Sequence, residues 1–291
     1  MRDTFNELSN FEHTKMKILI IGASGMLAGP VIRKLDEAGF ELRLFSRSVK
    51  PSMFINEYEI IQGDLFNTYD LDKAVQDCDA IHISVSTGDE VKASEAILDV
   101  AVKQQIKRIS MVSGCTVSEE NRWFSFIDQK FRAEQMIMQS GIPYFIFRPT
   151  WFFESLGMMV RDGRTTVLGK QTGMYHWVAA DDFGTMVVNA YRNEGNSSGI
   201  YYIYGPERYG MKEMLEMYCR EFHPEIEKVS ETPIPVLRFI AFMTGNRQLK
   251  SAASLFSYFE KVKEPEIREH ELTRLGKAET DYKAWVESRK D

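Results

Sequence analysis

Seven residues, Gly22-Ala23-Ser24-Gly25-Met26-Leu27-Ala28, follow the apolar run "KILII" and open a segment with helical periodicity. Glycines three residues apart at such a turn have a specific use. Gly22 permits a tight turn, and Gly25 lets backbone N–H groups approach an anion with no Cβ in the way. Ala28 stays small so that the helix can pack close to the strand. A helix N-terminus adds free N–H donors and a partial positive charge, which suits a pyrophosphate. Any strand-to-helix turn can use glycines; what gives these their meaning is that they open a run of alternating strands and helices.

The second strand, "ELRLFS", sharpens the cofactor choice. An Asp or Glu about twenty residues past the glycines binds a ribose 2′-hydroxyl, whereas an arginine suits a 2′-phosphate. Here Phe45 and Ser46 stand where the acid belongs, followed by Arg47, Ser48 and Lys50. Arg47 can fork onto a phosphate and Lys50 adds charge, so the expected cofactor is NADP(H).

Further along, "PTWFFESL" and "GMYHWVAADDF" carry aromatic residues suited to walling a flat apolar substrate: Trp151, Phe152, Phe153, Tyr175 and Trp177. His176 flanks them and is expected to donate to a substrate oxygen. His82, inside the strand-like "DAIHIS", is expected to be a core histidine with its hydrogen bonds satisfied. Asp181-Asp182 fits the start of a helix, where acidic side chains meet the positive end of the dipole. No His, Cys, Asp or Glu spacing suits a metal, so no metal site is expected.

The elements that must carry these residues follow a regular order. Strands are expected at "KILIIG", "ELRLFS", "YEIIQG", "DAIHIS", "KRISMV" and "PYFIFR". Helices are expected over Met26–Ala38, "DLDKAVQDC", Val91–Gln104 and Ser125–Ser140. Apolar strands alternating with helices mean βαβ crossovers and a parallel sheet covered on both faces. The fold class is therefore α/β, a Rossmann-type doubly wound parallel sheet with a smaller, mainly helical C-terminal part. Residues 1–15 lack periodicity and read as a disordered tail, with Met16 as a natural start; residues 16–150 form the cofactor-binding domain. Residues 151–291 form a substrate or cap region packed on it, with a helix from Asp181-Asp182, a strand "GIYYIYG" and a helix Met211–Glu221.

Composition narrows the function classes. The 291 residues are 44% hydrophobic and 27% charged, ordinary for a soluble globular chain. A net charge of −6 argues against nucleic-acid or anionic-membrane partners, which require a basic footprint. Cys78, Cys115 and Cys219 are odd in number and widely separated, which fits reduced core thiols rather than disulfides. The segment "MRDTFNELSNFEHTK" has acids where a secretion signal needs an apolar run, so a cytoplasmic location is expected.

Taken in order, "IIGASGMLA", "FSRS", "QGDL", "VSG", a lysine in the next helix and "SGIPYFIFRPTWFFE" resemble the atypical short-chain dehydrogenase/reductase superfamily. More narrowly they resemble its NmrA-like and isoflavone-reductase-like branch, over roughly residues 16–205. The resemblance implies that Gly22 and Ser24, Gly25, Met26 and Leu27 line the pyrophosphate and that Arg47 meets the 2′-phosphate. It implies that Asp64 and Leu65 edge the adenine and that Ser84, Val85 and Ser86 pass beneath the cofactor. Val112, Ser113, Pro149 and Thr150 would approach the nicotinamide.

Dehydrogenases of this superfamily pair a tyrosine with a lysine four residues later and a nearby hydroxyl. Lys130 takes the lysine position, but Phe126 stands where the tyrosine belongs, and Gly114 falls at the hydroxyl position between Ser113 and Thr116. In isoflavone-reductase-like relatives a lysine works without the tyrosine, which makes Lys130 the catalytic candidate as well as a cofactor contact. The expected function is an NADPH-dependent reductase of a small carbonyl, quinone or enone, with Trp151, Phe152, Phe153 and His176 on the substrate. The alternative is a non-catalytic, NmrA-like NADP(H) sensor with a protein partner. A nucleotide-sugar epimerase or dehydratase is disfavoured, because that chemistry leans on the missing tyrosine.

Overall fold

A computed structural model describes residues 15–86, 88–193 and 197–290; the tail expected over 1–15 lies, but for Lys15, outside them. The chain runs β1 (Lys17–Ile21), α1 (Ala28–Glu37), β2 (Glu41–Ser46), β3 (Glu59–Gln62), α2 (Thr68–Val75) and β4 (Ala80–Ile83). It continues α3 (Glu90–Lys103), β5 (Arg108–Val112), α4 (Ser125–Gln139) and β6 (Tyr144–Pro149). Each expected strand and helix of this half is present, with ends shifted by at most three residues, the largest shift at α2, which ends at Val75 rather than Cys78.

After residue 150 come the short hairpin β7 (Val160–Arg161) and β8 (Arg164–Leu168), then β9 (Met174–Trp177), α5 (Ala180–Asn193) and β10 (Gly199–Ile203). The remainder is β11 (Glu207–Gly210), α6 (Met211–Phe222), β12 (Ser230–Thr232), α7 (Ile234–Thr244), α8 (Arg247–Phe259), α9 (Glu269–Leu272) and α10 (Tyr282–Glu287).

The large sheet has the order β10-β6-β5-β4-β1-β2-β3, and its ladders are parallel throughout. Because successive strand side chains point to opposite faces, β1 feeds two cores. Ile18 and Ile20 join Ala28, Val31, Ile32 and Leu35 of α1 and Phe183, Met186 and Val187 of α5. Leu19 and Ile21 join the apolar faces of α2, α3 and α4 on the other side. Residues buried on both faces explain why β1 reads as continuous apolar sequence instead of alternating.

The division expected at residue 150 needs correction. β10 pairs with β6 and completes the large sheet, and α5 packs against α1. The two helices approach closely because a Cβ on Gly184 would lie 3.0 Å from the Pro30 carbonyl oxygen. The C-terminal part proper therefore excludes α5 and β10. It has its own core around Leu156, Val167, Trp177, Met214 and Trp285, and it contains short strands as well as helices. Among the described residues no helix is long and apolar enough to cross a membrane.

Candidate cofactor and active site

Strand order reverses between β1 and β4, and the glycine turn leaves β1 at that point. A crevice outside the carboxyl ends of the strands is where such sheets bind ligands. Gly22 has φ +90°, and a Cβ there would lie 2.3 Å from the Ser84 carbonyl oxygen and 2.7 Å from Val85 Cγ1. No L side chain fits that position. Leu27 is the N-cap of α1 without a side-chain cap, and the first turn carries no acid. The positive end of this helix thus stays open toward the crevice.

Two cavities meet here. The first, about 460 Å3, is lined by Gly22, Ser24, Gly25, Arg47, Asp64, Leu65 and the Ser84–Ser86 segment, together with Ser46, Ser48 and Phe66. Ser46 Oγ donates to Ser24 Oγ at 2.9 Å and accepts from the Val49 N–H at 2.9 Å. Ser48 Oγ lies 2.9 Å from Ser24 Oγ. Hydroxyls thus tie the end of β2 to the glycine turn where a carboxylate would otherwise stand. Arg47 is exposed at the rim, with no ion-pair partner among the described residues. Lys50, expected to add charge, does not line this cavity. The open helix end, the glycine cradle and the unpaired guanidinium fit the phosphates of a dinucleotide.

The second cavity, about 520 Å3, shares Gly25 and Ser84–Ser86 with the first. Met26, Leu27, Val112, Ser113, Lys130, Pro149, Thr150, Trp151 and Phe152 all line it, as does Phe126. Its volume and largely apolar wall suit a small organic molecule. Lys130 is 6% exposed and reaches it from α4, with Nζ 5.3 Å from the Phe126 ring centroid. Burial pulls the Lys130 ammonium below the ordinary lysine range, opposed by the charges of Glu90 and Glu134.

Those two carboxylates were not legible as site residues. Glu90 opens α3, where an acid reads as ordinary dipole complementation, yet it is buried. Its Oε1 accepts from Ser86 Oγ at 3.2 Å, while Oε2 has no hydrogen-bond partner among the described residues. Glu134 is fully buried one turn after Lys130, a spacing the sequence did offer as a signal. It accepts from Ser113 Oγ and from Arg148 Nη2 at 2.5 Å and Nε at 3.2 Å. Glu134 therefore fixes Ser113 at the cavity and draws Arg148 into a buried pair.

Phe153 and His176 do not line the cavity, and their expected substrate contacts need correction. Phe153 is 1% exposed in the C-terminal core with Trp177, Tyr282 and Trp285 around it. Tyr175 and Trp177 belong to the same core. His176 Nδ1 is held 2.5 Å from Glu264 Oε2, which also accepts the His176 N–H at 3.0 Å. Glu264 Oε1 accepts from Thr150 Oγ1, so this carboxylate braces a cavity residue from behind. The cavity wall is closed by Leu255, Tyr258 and Phe259 of α8, which the sequence reading left out. Tyr258 stacks on Phe124 at 4.8 Å, and burial pushes its phenol up to about 12.

His82 departs from its expected satisfied state. Nδ1 meets Ser110 Oγ at 2.7 Å, but Nε2 is buried with no partner among the described residues. Burial lowers its pKa to about 4. Asp181 and Asp182 sit in the first turn of α5. Asp182 accepts from the N–H groups of Glu279 and Thr280 at 2.9 Å, pinning the C-terminal segment to the sheet domain. All three cysteines are free and buried.

Comparison with known proteins agrees with this geometry. Photosystem II assembly factor Ycf39 of Guillardia theta is 24% identical over 249 residues, covering 79% of this chain and 77% of that protein. Among solved structures, the Citrobacter sp. triphenylmethane reductase complexed with NADP(H) superposes with a TM-score of 0.73 at 18% identity, covering 94% of this chain and 99% of that one. An NADPH-dependent quinone oxidoreductase from Escherichia coli gives 0.70 at 16% identity, covering 94% and 100%. A family profile described as NAD(P)H-binding matches residues 22–192, from the first glycine of the turn to the end of α5. That span is more than half of the sequence, and the chain belongs to this NAD(P)H-binding family.

Proposed function

We propose that the protein is an NADPH-dependent reductase of a small, flat carbonyl, quinone or enone. The observation that carries this is a buried Lys130 in an apolar cavity continuous with the glycine-turn crevice. Gly22, Ser24, Gly25, Met26 and Leu27 hold the pyrophosphate, and Arg47 takes the 2′-phosphate. Asp64 and Leu65 edge the adenine. Ser84–Ser86, Val112, Ser113, Pro149 and Thr150 orient the nicotinamide end. When bound, the cofactor supplies a hydride.

Lys130 donates a proton to the substrate oxygen as that oxygen gains charge, and the resulting amine recovers a proton from solvent. The charges of Glu90 and Glu134 favour the ammonium form and oppose the effect of burial. Trp151 and Phe152 bound the substrate ring. The reductase names among the structural neighbours support the same reading.

Phe126 favours a second reading, an NADP(H) sensor without turnover, since its ring cannot transfer a proton. NADPH oxidation followed at 340 nm with menadione and a panel of carbonyls separates the two. Turnover that Lys130→Ala abolishes is the expected result. Tight NADPH binding with no turnover on any compound assigns the sensor instead.

A further inference from the structure

Beside the cavity of Lys130 lies a larger one, about 840 Å3, between the β7–β8 hairpin, β12 and the start of α8. Arg161, Arg164 and Arg247 all line it. Among the described residues none of the three has an ion pair or a side-chain hydrogen bond, whereas Arg33, Arg43, Arg122, Arg148, Arg268 and Arg289 are ion-paired. All three are exposed, and no described acid forms an ion pair with them. Glu231 is taken by Lys212 at 2.7 Å, and Asp162 sits in the hairpin turn between Arg161 and Arg164. From residue 232 to 259 the sequence holds Arg238, Arg247 and Lys250 and no acid, in a chain whose net charge is −6.

The rest of the wall is mostly apolar or hydroxylic, with Leu168, Leu215 and Phe256 beside Thr166 and Thr232, and with the amides of Asn246 and Gln248 next to Arg247. Met158 lines both this cavity and that of Lys130. Helix α8 also serves both, with Phe256 on the arginine side and Leu255 and Phe259 on the Lys130 side.

We propose that this cavity anchors the anionic head of an amphipathic substrate whose apolar body passes Met158 into the chamber of Lys130. Guanidinium forks are matched to carboxylate and phosphate oxygens, and the methionine, leucine and phenylalanine surface is matched to a hydrocarbon or aryl body. A free inorganic anion leaves that surface uncovered, and a neutral apolar molecule leaves the guanidinium groups without an acceptor. The proposal rests on the reductase assignment above and narrows its substrate to carbonyl or quinone compounds bearing a carboxylate or phosphate remote from the reducible group.

Isothermal titration of the full chain saturated with NADP+ compares decanoate, butanoate and decanol. Decanoate is expected to bind at least tenfold more tightly than either of the others. Arg164→Gln and Arg247→Gln are each expected to weaken decanoate at least fivefold and leave decanol unchanged. An NADPH titration that gives the same Kd in each variant shows that the fold and the cofactor crevice are intact. Equal affinity for decanol overturns the charged anchor, and equal affinity for butanoate overturns the apolar body. Unchanged decanoate binding in both arginine variants sinks the assignment. So does pelleting with phosphatidylglycerol vesicles in the absence of decanoate binding, which gives the cationic surface to a lipid bilayer. Decanoate binding of this pattern on a chain that never oxidises NADPH removes the reductase reading while the anion site stands.

Discussion

Lys130 Nζ lies 5.3 Å from the centroid of the Phe126 ring, one helical turn back along α4. A ring face attracts an ammonium by about 0.5–2 kcal/mol, more as water is excluded. Phe126 therefore favours the ammonium form of the lysine at the cavity without offering a proton of its own. Glu90 and Glu134 act in the same direction, and burial acts against all three.

Lys130→Ala is expected to lower kcat for quinone reduction by about 10²-fold or more, the range of a lost general acid. NADPH binding measured by quenching of tryptophan fluorescence reports separately on cofactor affinity. Full activity in this variant ends the proton-donor role.

The pH profile has a defined sign. The donor is the ammonium form, so kcat is high below the Lys130 pKa and falls as pH rises through it. Burial places that fall below the ordinary lysine value. Glu90→Gln removes a charge that raises the pKa, so the alkaline limb should move to lower pH. A limb unmoved by Glu90→Gln uncouples the two residues.

NADPH should bind at least tenfold more tightly than NADH, or about 1.4 kcal/mol. Arg47→Ala should erase most of that difference and leave NADH affinity nearly unchanged. Equal binding of both cofactors by the parent protein would falsify the 2′-phosphate assignment.

Gly22→Ala introduces a Cβ that meets the Ser84 carbonyl oxygen at 2.3 Å on a backbone with φ +90°. Strain of this kind costs about 2 kcal/mol or more. At about 2–4 °C per kcal/mol for a chain of this size, Tm should drop by about 5 °C. A differential scanning calorimetry trace matching the parent shows that β4 yields instead.

His82 links stability to acid. Its folded pKa, about 4, lies below the ordinary histidine value of 6.5, so the unfolded chain binds the extra proton between those limits. Stability contributed by neutral His82 is complete above pH 6.5 and is lost as pH falls toward 4, by at most about 1.4 kcal/mol per pH unit. Urea midpoints across pH 4–7 should show a shallower acid slope for His82→Gln than for the parent.

Much of the first cavity was written locally. Gly22, Gly25 and Arg47 belong to a turn and a strand end whose chemistry depends on near neighbours in the chain, and their types announce it. Lys130 was legible only through the order of motifs around it. Glu90 and Glu134 were not, because a carboxylate near a helix start or on a helix face looks solvated until something covers it. His176 and Phe153 misled for the converse reason. Phe153 follows the cavity residues Trp151 and Phe152 but opens a 3-10 turn that carries it into the C-terminal core, and His176 lies on β9 between the core residues Tyr175 and Trp177, where Glu264 holds its ring.

By itself the sequence determined the β-α alternation, the glycine turn after β1 and the absence of an acid at the end of β2, since each depends on periodicity or on residues close in the chain. Only the tertiary structure decided which part of the C-terminal half completes the large sheet, that α8 closes the cavity of Lys130, and that Glu264 braces Thr150 from 114 residues away. It also brought Arg161 and Arg164 to the same cavity as Arg247. Contacts between residues so far apart depend on how whole elements pack, and no local pattern of residue types encodes that geometry.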